Sequence, residues 1–151
     1  MTSNRGLSYS AVVMIRALQE RYTSYSWHLE GFTPVTARRA VEETLFLWGM
    51  PAESVDDAML IASEIATNAA MHVRPELRRA GFIHAHIGQS SDTLRFEIAD
   101  PDPRTPRLIQ ATSDDEQYRG LIIVDALAKD WGFYRASMGL GKIVWWTQAV
   151  I

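Results

Sequence analysis

Glu64, Asn68 and His72 stand four residues apart in the run from Leu60 to His72, so on a helix they stack along one face. Asparagine is a poor choice for a helix interior, because its side chain competes for backbone hydrogen bonds. Two readings of the stripe stay open on spacing alone. It is a polar face turned to water, or it is a metal-and-base pair. In the second reading the Asn68 amide oxygen is a hard ligand for Mg²⁺, and a carboxylate one turn away orients a nucleophile. Asp100 closes an alternating segment and is followed by Pro101-Asp102-Pro103. That pattern fits a turn ending an edge strand, or a buried carboxylate on a pocket floor. Arg119-Gly120-Leu121 is expected to open a helix after a long loop, and a helix N-terminus offers free N–H groups to phosphate. Gly139-Leu140-Gly141-Lys142 reads as a hairpin turn, whose lysine adds a charge near phosphate or, as is commoner on a turn, is simply solvated. His84 and His86 share a strand face without an acidic or cysteine partner, which favours exposed strand histidines over a metal site.

Periodicity supplies the elements that must position these residues. Tyr9 to Tyr22 reads as a helix or as an arm that pairs with a partner, and Ser26 to Leu29 as a short strand. Thr33-Pro34 starts a helix that presents Ala37, Val41, Leu45 and Trp48 and ends near Gly49. Ser54 and Asp57 have capping-box spacing and open a second helix over Val55 to Val73, stopped by Pro75. Phe82 to Gln89 and Thr93 to Ala99 alternate and form a hairpin, with Leu94, Phe96 and Ile98 on one face. Pro101 to Arg119 has no period. Gly120 to Asp130 is helical, with Ile123, Leu127 and Trp131 on one stripe, and two strands finish the chain. Adjacent Trp145 and Trp146 point to opposite sheet faces. This order predicts a two-layer α/β (α+β) sandwich, a mixed, mostly antiparallel sheet of four or five strands with helices on one face. The other face is solvated or covered by another subunit.

The chain has 151 residues, a formal net charge of -3 and no cysteine. One domain is expected, divided into an arm or helix over 1–25 and a folded unit over 26–151. Disulfide and thiolate chemistry are excluded, which suits a reducing, cytoplasmic setting. Met1 to Gly6 is polar with no signal-like apolar core behind it. Mild acidity gives no electrostatic motive for nucleic-acid binding, and no apolar run is long enough to span a membrane.

In order and spacing, four segments resemble the histidine-kinase-like (GHKL) ATPase superfamily with its Bergerat-type ATP-binding fold. Within it the stand-alone bacterial anti-sigma-factor serine/threonine kinases are the most similar. SEIATNAAMH matches the helix carrying Glu-x-x-x-Asn-Ala, RFEIADPDP the strand ending in Asp, YRGLIIVDALAKDWG the lid loop giving way to a Gly-Leu helix, and GLGKIVWW the last glycine turn. The resemblance runs from about Trp27 to Ile151. It implies ATP and Mg²⁺ as cofactors, with Asn68 on the metal and Glu64 as the base. It also implies Asp100 on the adenine amino group, Arg119, Gly120 and Leu121 at the phosphates, Gly141 leaving room beside the nucleotide, and a lid from Pro101 to Tyr118.

The implied activity is phosphorylation of a serine on a STAS-type anti-anti-sigma partner. A sigma factor is a second implied partner, and a homodimer through the open sheet face is compatible. The chain departs from the family pattern at Asp102, Arg104 and Tyr118, where glycines are usual. Those departures motivate an alternative, a non-catalytic regulatory module with a degenerate ATP site that sequesters a protein.

Overall fold

A computed structural model of the chain describes residues 16–106, 116–136 and 141–150, and of 116–121 the backbone alone. Strand β1 (Arg21–His28) is followed by helices α1 (Pro34–Leu47), α2 (Ala52–His72) and the short α3 (Pro75–Arg78). Strands β2 (Phe82–Ser90) and β3 (Thr93–Asp100), helix α4 (Glu116–Leu127) and strands β4 (Asp130–Arg135) and β5 (Lys142–Ala149) complete it. The strands form one sheet in the order β1-β2-β3-β5-β4. Every pairing among the described residues is antiparallel.

β1 starts at Arg21, within the stretch expected to be helical through Tyr22. Among the described residues of that stretch, helical backbone is confined to Arg16 and Ala17. Tyr25 and Trp27 are turned inward and Ser24 and Ser26 outward, the alternation a half-buried strand requires. The Tyr25 hydroxyl lies 2.6 Å from that of Thr44, tying the strand to α1. Residues 1–15 of the expected arm lie outside the described residues.

Thr33 is extended and Pro34 takes the first helical position of α1, as its sequence predicts. Gly49 ends that helix at φ +70, a backbone conformation that suits glycine. In α2 the expected Ser54 cap is corrected. The helix begins at Ala52 behind Pro51, whose carbonyl accepts from Val55. Ser54 lies inside the first turn and is buried, and its carbonyl accepts from Gln148 at 3.3 Å.

α1 and α2 pack on each other, and α2 also on α4, β3 and β5. Ile61, Ile65, Ile83, Ile87, Leu94, Phe96, Val124 and Trp131 fill the space between the layers. Phe96 and Trp146 stack there, with ring centroids 4.6 Å apart. Among the described side chains of α4, Val124 is fully buried, and Ile123 and Leu127 are only partly buried.

The opposite sheet face is not simply wet. Arg95, Glu97, Tyr134 and Trp145 are buried on it. Arg95 pairs with Glu97 at 3.2 Å and lies over the Trp145 ring. Trp146 and Trp145 thus take opposite faces, and both are covered.

Trp146→Ala is expected to cost about 3–5 kcal/mol of unfolding free energy in urea titration. Phe46→Ala, at a position 78% exposed, should change stability by less than about 0.5 kcal/mol. Equal losses in the two variants would contradict this placement of the core.

Candidate functional site

The C-terminal half of α2 and the ends of β3, β4 and β5 enclose a cavity of about 360 Å³. Its wall is formed by Asn68, His72, Asp102, Arg104, Thr105, Arg135 and Lys142. Asn68 is buried at 8% exposure, so the reading of this stripe as a solvated face is set aside at its centre. The reason is tertiary: the polar stripe of α2 is covered where the Asp102–Thr105 segment crosses its end. Glu64, one turn before Asn68, is partly buried and does not line the cavity.

Asp102 holds this corner together. It is 1% exposed. Its Oδ2 accepts from the Arg74 amide at 3.0 Å and from Arg74 Nε at 3.3 Å. Its Oδ1 accepts from the Arg104 amide at 3.0 Å and Arg104 Nε at 3.1 Å. Arg104 also donates to the His72 carbonyl at 2.9 Å, and Arg78 to the Ala70 carbonyl at 2.5 Å. The last carbonyls of α2, which lack intrahelical partners, are therefore taken up by guanidinium groups. Burial by itself raises the Asp102 pKa. The hydrogen bonds from the Arg104 side chain and the Arg74 and Arg104 amides outweigh it and hold the carboxyl well below the usual range.

Asp100 lies on β3, an interior strand between β2 and β5, so the edge-strand reading is corrected. Its Oδ1 accepts from the Asp102 amide at 2.8 Å and from Lys142 Nζ at 3.1 Å, and Lys142 Nζ is also 3.1 Å from Oδ2. Lys142 donates in addition to the Asp102 carbonyl at 2.8 Å. The lysine expected to be solvated is 5% exposed. Burial raises the Asp100 pKa, with Lys142 opposing it. Gly141 has φ +122, and a Cβ there would strike the Asp100 carbonyl oxygen. The space this glycine leaves is filled by the Asp100–Pro101 backbone.

Helical backbone is already present at Glu116, so Gly120 and Leu121 lie within α4 and the helix start expected at Arg119-Gly120 is corrected. Residues 107–115 and 137–140, which hold most of the expected lid and of the glycine turn, lie outside the described residues.

Sequence reading passed over Arg74, Thr105 and Arg135. Arg135 donates to the Pro103 carbonyl at 2.8 Å and to Thr105 Oγ1 at 3.1 Å. Only register exposes the cluster, since Lys142 stands opposite Asp100 on one side and Arg135 on the other.

The histidines need one correction. His84 is exposed as expected, but His86 is buried, with Nδ1 3.0 Å from the Ser24 hydroxyl and Nε2 2.9 Å from Gln19 Oε1. Burial lowers its pKa, with Glu97 opposing. No group of three acidic, histidine or cysteine residues able to hold a metal is found among the described residues.

Residues 33–147 match the model of the histidine kinase-like ATPase domain. The chain belongs to that family. Its fold is similar to that of the structure of the RsbU and RsbW domains of a Mycobacterium tuberculosis protein. That likeness has a TM-score of 0.59 and 16% identity over 85% of this chain, and this chain spans only 32% of that one. The histidine kinase domain of a blue-light activated kinase from Erythrobacter litoralis is similar too, with a TM-score of 0.52 and 23% identity. It covers 66% of this chain and 46% of its own. No curated protein matches. No helix among the described residues is long and apolar enough to cross a membrane.

The family implies ATP, and the wall fits the two halves of that ligand differently. Asn68 offers a hard donor, and Arg104, Arg135 and Lys142 offer positive charge, which suits Mg²⁺ and phosphate. Asp100 does not fit adenine recognition, because it lies behind Lys142 and off the wall.

The two carboxylates should titrate with opposite sign. The depressed Asp102 pKa stabilises the fold at neutral pH, and this is lost as pH falls below the ordinary carboxylate range. The raised Asp100 pKa works the other way, since protonation relieves the fold as pH falls toward that range. Asp102→Asn should therefore cost roughly 1–3 kcal/mol at pH 7 and progressively less below about pH 4 in paired urea titrations. A pH-independent difference would contradict the assignment.

Proposed function

We propose that the chain is a regulatory protein of the anti-sigma-kinase kind, which holds a nucleoside triphosphate with Mg²⁺ in the cavity between α2 and the strand ends. The observation that carries this reading is that buried Asn68 lines one cavity together with Arg104, Arg135 and Lys142. A hard oxygen donor opposite three cations is suited to a metal-bridged polyphosphate. The bound nucleotide supplies a transferable phosphoryl group. Asn68 would hold the metal, Arg104 and Arg135 would offset phosphate charge, and Arg119 lies on α4. Glu64 is the base that takes the proton from a serine hydroxyl presented by a STAS-type anti-anti-sigma partner. A sigma factor is the second partner of this reading.

Calorimetric titration with ATP and Mg²⁺ should show binding that weakens at least tenfold in Asn68→Ala. Glu64→Ala should keep the nucleotide affinity and lower phosphorylation of a serine-bearing STAS partner by about 100-fold or more, as loss of general-base catalysis predicts. Transfer by Glu64→Ala at the wild-type rate would overturn the base assignment.

One observation favours a second reading, a non-catalytic module that sequesters a protein: the Asp100 carboxylate is engaged by Lys142. Under that reading, capture of the partner is unchanged by ATP and by Asn68→Ala.

A further inference from the structure

Arginines gather where α2 ends. The chain turns at Val73, Arg74 caps the one-turn helix α3, and Arg78 closes it. The segment after β3 adds Arg104, which reaches the His72 carbonyl. These three arginines line an open groove of about 450 Å³ together with Met71, His72 and Pro75. The groove lies beside the cavity and shares His72 and Arg104 with it.

The groove has positive charge to offer. Arg74 and Arg104 share one carboxylate, Asp102, which is buried while their own side chains are 39% and 54% exposed. Among the described residues, both terminal nitrogens of Arg74 bond nothing, and Arg78 gives one donor to the Ala70 carbonyl. With exposed Arg79 next along the chain, four arginines stand here against Asp102 and Glu76, in a chain of net charge -3. Guanidinium forks match carboxylates in shape as well as charge. The negative charge of the whole chain favours a short acidic segment over a long polyanion.

Met71 gives the groove its direction. It follows Glu64 by seven residues, so the two lie on one side of α2, about 10 Å apart along the axis. At 70% exposure it offers an adaptable apolar contact. An extended peptide advances about 3.3 Å per residue. A serine at Glu64 therefore brings the residue three positions away to Met71 and the next ones to the arginines.

We infer that this groove docks an acidic segment of the serine-bearing partner, with carboxylates three to five positions from the serine held by Arg74, Arg78 and Arg104. The spacing rests on the proposal that Glu64 is the base, whereas the docking itself needs no turnover.

The test is fluorescence anisotropy of short labelled peptides on the full chain. One peptide carries a central serine with glutamates three to five positions to either side, and a second has glutamines in their place. The glutamate peptide should bind at least tenfold more tightly, by a margin that shrinks as salt rises. The double variant Arg78→Glu/Arg79→Glu, once circular dichroism shows it folded, should lose that preference and favour a matched lysine peptide. General damage to the fold would not produce such a swap. If the double variant does not fold, Arg79→Glu, whose side chain bonds nothing among the described residues, should still weaken the glutamate peptide about threefold. Equal affinity for the glutamate and glutamine peptides overturns the inference, as does an unchanged preference in the folded variant. Tighter binding of a single-stranded DNA oligonucleotide than of the glutamate peptide overturns it too and assigns the surface to nucleic acid. Docking of the glutamate peptide without phosphorylation of its serine under ATP and Mg²⁺ leaves the acidic docking surface standing and overturns the kinase reading.

Discussion

The buried Asp102 carboxylate joins two parts of the chain that are remote in sequence. It bonds the amide of Arg74 just beyond the end of α2 and the amide of Arg104 in the segment after β3, and it pairs with both guanidinium groups. Arg104 passes the connection on to the His72 carbonyl. The end of the helix carrying Asn68 is thereby pinned to the segment that carries Arg104 and Thr105. A buried carboxylate survives only if its oxygens are satisfied, and here they accept from two amides and two guanidinium groups. The same residue stands where the family commonly has glycine. The flexible turn expected of a glycine is replaced by a charge-locked one.

Asp100 and Asp102 show how far position decides the chemistry of one residue type. Two residues apart, their pKa values shift in opposite net directions although burial raises both. Asp102 meets several donors and stays ionised, whereas Asp100 meets a single ammonium and one amide, and desolvation prevails. Lys142 pairs with the Asp100 carboxylate, donates to the Asp102 carbonyl and lines the cavity. The wall carries Arg104, Arg135 and Lys142 beside one carboxylate, Asp102, which suits an anionic ligand.

The sheet is used on both faces. Toward the helices it offers Ile83, Ile87, Phe96 and Trp146, and away from them Arg95, Glu97, Tyr134 and Trp145. Arg16 meets Glu97 on that outer face. Adjacent tryptophans on β5 serve the two faces because successive strand residues point oppositely. The pairing of charge and aromatic surface on the outer face is a different kind of core from the aliphatic one within.

Local patterns were enough for most of the fold. The α1 start at Thr33-Pro34, its end at Gly49, the β2–β3 hairpin and the inward row of Leu94, Phe96 and Ile98 all follow from capping, turn chemistry and period-two alternation. The stacking of Glu64, Asn68 and His72 follows from the helical repeat alone. The sequence by itself determined these because each depends on neighbours within a few residues. Other features depend on partners 28 to 42 positions away, such as Arg74 with Asp102 and Lys142 with Asp100. The burial of Lys142, the removal of Asp100 from the cavity wall and the recruitment of Arg135 were decided by strand register and by the crossing of the 101–106 segment over the end of α2. No local pattern records those contacts, because the free energy that holds a buried charge in place comes from the group opposite it and not from its neighbours in the chain.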